Sequence, residues 1–271
     1  MYIHLSLFFQ LLRCFPNLNI TKMNILNRKF LTKLIQPIRY VLNKLMPISS
    51  VNLDDRKGAI HKAWGHIFSN HIEGDYVEFG VYKGDSLIIA YNEYQVFKNW
   101  MQGELLSPED WRRTVARNFI NKNANFHGLD TFEGMPENNE KSITFSKSNF
   151  FATINEVTLK LKKAGVKDFF LYKGLFSAST LELNNNISKY IAIVNIDGDL
   201  YESALDSLNI VEPKLQIGTV LLFDDYNAFN SDNTKGERRA SIEFFKKSNF
   251  IFEKWFNYHY SGQSFLCVGK K

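Results

Sequence analysis

Cysteine is scarce in this 271-residue chain: Cys14 and Cys267 are the only two, and they form no CxxC pair. That excludes a disulfide framework and reads most simply as a protein of a reducing, cytoplasmic compartment. Long apolar runs are missing too. The stretch "YIHLSLFFQLL" is too short to span a bilayer, and no Lys or Arg precedes it as a signal peptide would require. There is no G-x-G-x-x-G turn and no glycine-rich turn followed by Lys-Ser/Thr, so neither the dinucleotide fingerprint nor the P-loop is present. The chain contains no internal repeat and no low-complexity tract. Ser86 and Ser203 lack the His and Asp neighbours of a nucleophilic triad.

Acids are absent from the first fifty residues, which hold seven Lys/Arg. The rest of the chain carries the remaining 26 bases and all 28 acids, a formal charge of −2, against +5 for the whole. The basicity therefore belongs to an N-terminal arm, and the body gives no reason to expect a nucleic acid partner. Within the arm, Leu31, Leu34, Ile35, Ile38, Leu42 and Leu45 follow helical spacing, with Pro37 as a kink. Such a stripe suits a helix docked on its own domain or on a second subunit, and equally a weak membrane-surface contact. Met23 stands just before it, so residues 1–22 are expected to be disordered or to precede the true start. The expected organisation is then 1–22, a basic helical arm or lid over 23–73, and a main domain over 74–271.

From about residue 74 strand and helix patterns alternate. "DYVEFGV", "NFHGLDTF", "KDFFLYKG", "YIAIVNID" and "GTVLLFDDY" read as strands, with helices between them, including one from "SPEDWRR" with Ser107 as N-cap and one that stops at Gly165. The last two strands, "FIFEKWF" and "QSFLCVGK", have no helix between them and are expected to pair antiparallel. This is an α/β fold with a largely parallel sheet and right-handed crossovers.

Two features carry chemistry. "VEFGVYKGDS" sets Glu78, Gly80 and Gly84 in an E-x-G-x-x-x-G turn between the first strand and its helix, where a ligand can approach free backbone N–H groups. The next strand ends at Asp130, placed to take ribose hydroxyls; together these indicate an adenosine ligand without a phosphate-cradling loop. The second feature is a set of strand-end acids, Asp197, Asp199 and Glu202 in "NIDGDLYES" and Asp224 and Asp225 in "DDY". His61, His66 and His71 recur every five residues and do not share a helix face. His127 falls inside a strand and His259 in the final loop; nothing in the pattern forces either into a site.

The series "VEFGVYKGDSL", "GLDTFEGMPE", "LYKGLFSAST", "VNIDGDLYESALDSL", "GTVLLFDDY" and "KGERRASIEFF" resembles the macrocin O-methyltransferase family of class I S-adenosylmethionine-dependent methyltransferases, from about residue 74 to 269. The resemblance implies a Rossmann-like seven-stranded sheet in the order 3-2-1-4-5-7-6, metal-dependent methylation of a sugar hydroxyl, and a homodimer whose N-terminal segments cover the site. It places Glu78, Gly80, Tyr82, Gly84, Ser86, Asp130 and Gly174 around S-adenosylmethionine. In that order the fourth and fifth strands lie about 4.8 Å apart, so Asp197, Asp224 and Asp225 converge and would repel one another without a cation. An all-oxygen set favours a hard divalent ion, Mg²⁺ first. Asp199 is then the acceptor of the hydroxyl proton, and N-capping of the following helix is its other reading. Two other functions fit such a sheet less well: a nicotinamide-dependent oxidoreductase leaves the four acids unexplained, and a non-catalytic scaffold at a membrane has no need of them.

Overall fold

Asp55 accepts the Gly58 backbone N–H at 2.6 Å and caps the first helix of the computed structural model, α1 (Arg56–Ser69). The structure describes residues 55–138, 140 and 144–271; residues 1–22, the apolar stripe within 24–46 and Cys14 lie outside them. The sequence assigned α1 to an arm, but its face of Ala59, Ile60, Ala63, Trp64, Ile67 and Phe68 is buried in the core. Trp64 Nε1–H donates to the Ala90 carbonyl at 3.0 Å, which ties α1 to the next helix. α1 thus shares one core with the strands and helices that follow residue 74. An amphipathic stripe says that a helix docks, and only packing says on what.

After α1 come β1 (Asp75–Phe79), α2 (Asp85–Glu104), α3 (Asp110–Phe119), β2 (Phe126–Asp130), α4 (Ile154–Lys163), β3 (Phe169–Lys173), α5 (Thr180–Asn186), β4 (Ile191–Ile196), α6 (Tyr201–Val211), β5 (Val220–Phe223), α7 (Gly236–Lys247), β6 (Phe250–Tyr258) and β7 (Gly262–Lys270). The seven strands form one sheet in the order β3-β2-β1-β4-β5-β7-β6, as expected. β1 to β5 pair in parallel, and β7 is antiparallel to both β5 and β6. β1 and β4 are buried along their whole length, which is why β4 reads as an apolar run without alternation.

Helices α1 to α4 cover one face through Trp64, Leu87, Ala116 and Leu161; α5 to α7 cover the other through Leu183, Leu208 and Phe244. Thr153 and Glu156 form a reciprocal capping box at the start of α4, and Gly165, with φ +78°, follows its end. Ser107 is not the cap expected of it. Glu109 occupies the N-cap of α3, while the Ser107 hydroxyl turns locally, accepting the Glu109 N–H at 3.3 Å and donating to its carboxylate at 2.5 Å. Among the described residues no helix is long and apolar enough to cross a membrane.

Candidate active site

Parallel strands present their carboxyl ends along one edge, and a cleft of about 460 Å³ opens there. Its walls come from the β1–α2 turn, the end of β2, and the ends of β4 and β5.

Gly80 lies in the turn with φ +88°, and a Cβ built on it would stand 1.9 Å from the Asp197 carbonyl oxygen. Glycine here is thus required by the close approach of the β1 and β4 ends, in addition to any ligand, and it also lines the cleft. Gly80→Ala is expected to cost more than about 2 kcal/mol, through a backbone clash and a left-handed φ together. Chemical denaturation checks this, and a loss below about 0.5 kcal/mol would show that the turn relaxes.

Gly84 (φ +76°) caps α2 and faces Val157 at 3.1 Å; neither it nor Gly174 lines the cleft, contrary to expectation. Gly174 instead donates its N–H to the Asp130 carbonyl at 3.0 Å. Their glycine identity serves helix packing and the exit from β3.

Asp130 lines the cleft, yet its carboxylate already holds the turn together. Oδ2 accepts the Val81 and Tyr82 N–H groups at 2.9 and 2.8 Å, and Oδ1 accepts the Phe132 N–H at 2.7 Å and the Thr131 hydroxyl at 3.4 Å. A carboxylate has about four acceptor positions, so a two-handed grip on ribose is not open in this arrangement. One position, behind the long Thr131 contact, remains exchangeable.

Glu78 is fully buried under the turn and does not line the cleft. It accepts hydrogen bonds from the Tyr76 hydroxyl at 2.6 Å, the Ser86 hydroxyl at 2.8 Å and Asn195 Nδ2 at 3.3 Å. Burial pushes its carboxyl up to about 7, while those three bonds and the Arg56 charge act to lower it. Its reach toward a ligand is indirect, through Ser86, which does line the cleft beside Tyr82.

The acids meet where the β4 and β5 ends adjoin, with Ile196 paired to Phe223 one residue before them. One carboxylate oxygen each from Asp197, Asp199 and Asp225 lies within 4.8 Å of the others. Two oxygens opposite one another on a hard divalent ion, at 2.1–2.6 Å each, are about 4.2–5.2 Å apart, so this set fits such a cation. Asp199, buried by its neighbours, has φ +59°, a conformation that Asp tolerates better than most residues. It is not the N-cap of α6, which is Leu200; Glu202 stands exposed in that helix's first turn. Burial first, then the Asp225 hydrogen bond and the Asp197 charge, hold the Asp199 carboxyl well above the ordinary range. Asp197 is likewise raised by burial and by Asp224.

Asp224 departs from the expected ligand set. Its Oδ1 accepts from Arg56 Nε at 2.9 Å and lies 3.0 Å from His259 Nε2, and its Oδ2 accepts from Arg56 Nη2. The Ser261 N–H donates to His259 Nδ1 at 3.1 Å, which puts the ring proton on Nε2, pointing at Asp224. Burial would raise Asp224, but the His259 bond and the Arg56 guanidinium outweigh it and hold it below the usual range.

Sequence reasoning missed three participants. Arg56 is 168 positions from Asp224. His259 was left open. Glu237, in the "KGERRASIEFF" segment, is fully buried, accepts the Asp225 N–H at 2.9 Å through Oε2 and, among the described residues, has no hydrogen-bond partner for Oε1 beside the acids. His61, His66 and His127 are structural: His61 pairs with Glu93 at 2.7 Å, His66 Nε2 stands 3.2 Å from the Gly218 carbonyl, and His127 is buried between Asp75 and Tyr172.

A family model described as macrocin-O-methyltransferase (TylF) matches residues 94–256, a span containing Asp130 and all four strand-end aspartates. Demethyldecarbamoylnovobiocin O-methyltransferase of Streptomyces niveus is 26% identical over 168 residues, 59% of this chain and 55% of its own length. The 8-demethyl-8-(2,3-dimethoxy-alpha-L-rhamnosyl)-tetracenomycin-C 4'-O-methyltransferase of Streptomyces olivaceus is 26% identical over 170 residues, 59% of this chain and 56% of its own. The match thus spans about half the length of these relatives. Among solved structures, the O-methyltransferase NovP is similar with a TM-score of 0.58 at 21% identity over 79% of each chain. The calicheamicin methyltransferase CalS11 follows with a TM-score of 0.56 at 18% identity, again over 79% of each. These two likenesses show the fold.

Proposed function

This chain belongs to the macrocin O-methyltransferase family, and we propose that it transfers a methyl group from S-adenosylmethionine to a sugar hydroxyl of a glycosylated metabolite or glycan. The observation that carries the reading is the convergence of Asp197, Asp199 and Asp225 at the edge of the cleft that also holds the glycine turn and Asp130.

When bound, S-adenosylmethionine supplies an electrophilic methyl carbon, and a hard divalent cation, Mg²⁺ first, lowers the pKa of the acceptor hydroxyl. The chain's own residues do the rest. The backbone of the turn, with Tyr82 and Ser86, receives the methionine end, and Asp130 orients the ribose through its exchangeable acceptor position. Asp197 and Asp225 would hold the cation; Asp224, the third carboxylate expected there, is paired with Arg56 and His259. The Asp199 carboxylate accepts the hydroxyl proton as the new O–C bond forms and the C–S bond breaks, leaving S-adenosylhomocysteine. Leu175, Phe176 and Phe150 line the cleft and exclude water from the reacting atoms. Much of the acceleration comes from alignment, because the sulfonium is already activated. The same reading takes the protein as a cytoplasmic homodimer, its basic arm covering the site, with a membrane-surface contact of that arm as the alternative.

Calorimetry of the full-length protein with S-adenosylmethionine and with NAD⁺ tests the cofactor. S-adenosylmethionine is expected to bind and NAD⁺ is not. Asp130→Ala is expected to weaken S-adenosylmethionine by about 1–3 kcal/mol, the range for losing hydrogen bonds to a charged group. Equal binding of NAD⁺, or an unchanged affinity in the variant, would show that the cleft has been assigned to the wrong ligand.

A further inference from the structure

Arg56 takes no part in the chemistry above, yet it makes the most extensive contacts with the acids. It is the first residue of α1, and its guanidinium grips Asp224 with two nitrogens while Nη2 stands 3.1 Å from Asp197 Oδ2. Asp197 is thus shared. One side faces a fixed organic cation and the other the oxygens of Asp199 and Asp225.

We propose that Arg56 is a built-in competitor for the divalent cation, lowering the metal affinity of this site below what its acids alone would give. This rests on the metal-dependent reading of the site. Two physical effects point the same way. The guanidinium charge sits against two of the acids and repels a second cation brought beside it, an interaction weakly screened in a partly buried site. Its fork also occupies one oxygen of Asp197, a member of the Asp197, Asp199 and Asp225 set, and keeps Asp224 from adding a further ligand to it.

The opposite role, in which Arg56 preorganises the acids and so raises affinity, is less favoured because the Asp224 side chain and the backbones of Asp197 and Asp225 are held by other partners. The Asp224 backbone N–H donates to the Ile196 carbonyl at 2.9 Å and His259 holds its side chain. The Asp197 N–H donates to the Phe79 carbonyl at 2.8 Å, and the Asp225 N–H to Glu237. What Arg56 alone contributes is its charge and its occupation of oxygens.

The test is Mn²⁺ binding to full-length protein, read by electron paramagnetic resonance of free Mn²⁺, with circular dichroism to confirm folding. Arg56→Gln is expected to bind Mn²⁺ about tenfold more tightly than the parent. Its melting temperature should be lower without metal and should rise more on saturation, as linkage requires. Arg56→Lys keeps the charge and loses the fork, so it should bind about two- to fivefold more tightly than the parent; it also serves should the Gln variant not fold. Equal or weaker Mn²⁺ binding by the variants, with the parent binding normally, overturns the competitor role alone. No Mn²⁺ binding by parent or variants overturns the metal-dependent reading, and this inference with it.

Discussion

Asp199→Asn is expected to lower kcat for methyl transfer by about 10²–10⁴-fold, the range for removing a general base, while S-adenosylmethionine affinity stays within about twofold. Asparagine is the informative replacement. The backbone at this position has φ +59°, which Asn adopts nearly as readily as Asp, whereas alanine would add strain to the chemical loss. The amide also preserves the volume of a buried side chain while removing the oxygen that takes the proton, and saturating Mg²⁺ in the assay offsets the charge lost from the cation set. The cofactor contacts proposed above lie at the turn after β1 and do not include Asp199, so cofactor binding serves as the control for folding. Single-turnover kinetics with isotopically labelled S-adenosylmethionine would read the step directly. A kcat within about tenfold of the parent would remove Asp199 from the reaction and leave the metal-activated hydroxyl to lose its proton to water.

The second large effect is expected on removing divalent cations. Excess EDTA should bring methyl transfer down to background, and added Mg²⁺ should restore it. Asp225→Asn should raise the Mg²⁺ concentration needed for half-maximal rate by at least about tenfold. The reason is electrostatic. Asp197 and Asp199 are held well above the ordinary carboxylate range chiefly by burial, with neighbouring carboxylates adding to it. A cation among them would relieve that repulsion and supply the Lewis acid proposed for the acceptor hydroxyl. Asp225 is the better test of the cation than Asp224. Asp224 also pairs with Arg56 and His259, and removing one partner of a buried ion pair destabilises the protein for reasons unrelated to metal. Undiminished turnover in excess EDTA would mean that Asp197 and Asp225 serve hydrogen bonding or stability and that the hydroxyl is activated by Asp199 alone.

The covalent order of this chain was enough to establish its sheet and the position of its acids. Apolar runs punctuated by glycine and separated by helical periods admit few architectures, and the family motifs selected one of them. A carboxylate at the end of a parallel strand must emerge at the carboxyl edge, so Asp197, Asp199, Asp224 and Asp225 could be placed there from spacing alone. Local stops and caps such as Gly165 were legible for the same reason, since their partners are within a few residues. The choice among the acids was not. Which carboxylates face one another, and which is taken by Arg56, depends on side-chain direction and on a helix 168 positions away. The docking of α1 in the core, and the Asp197 carbonyl that demands Gly80, are likewise contacts between distant segments. Periodicity reports which face of an element is apolar, and it carries no information about what that face meets. That is decided only when the strands are in register and the helices have packed.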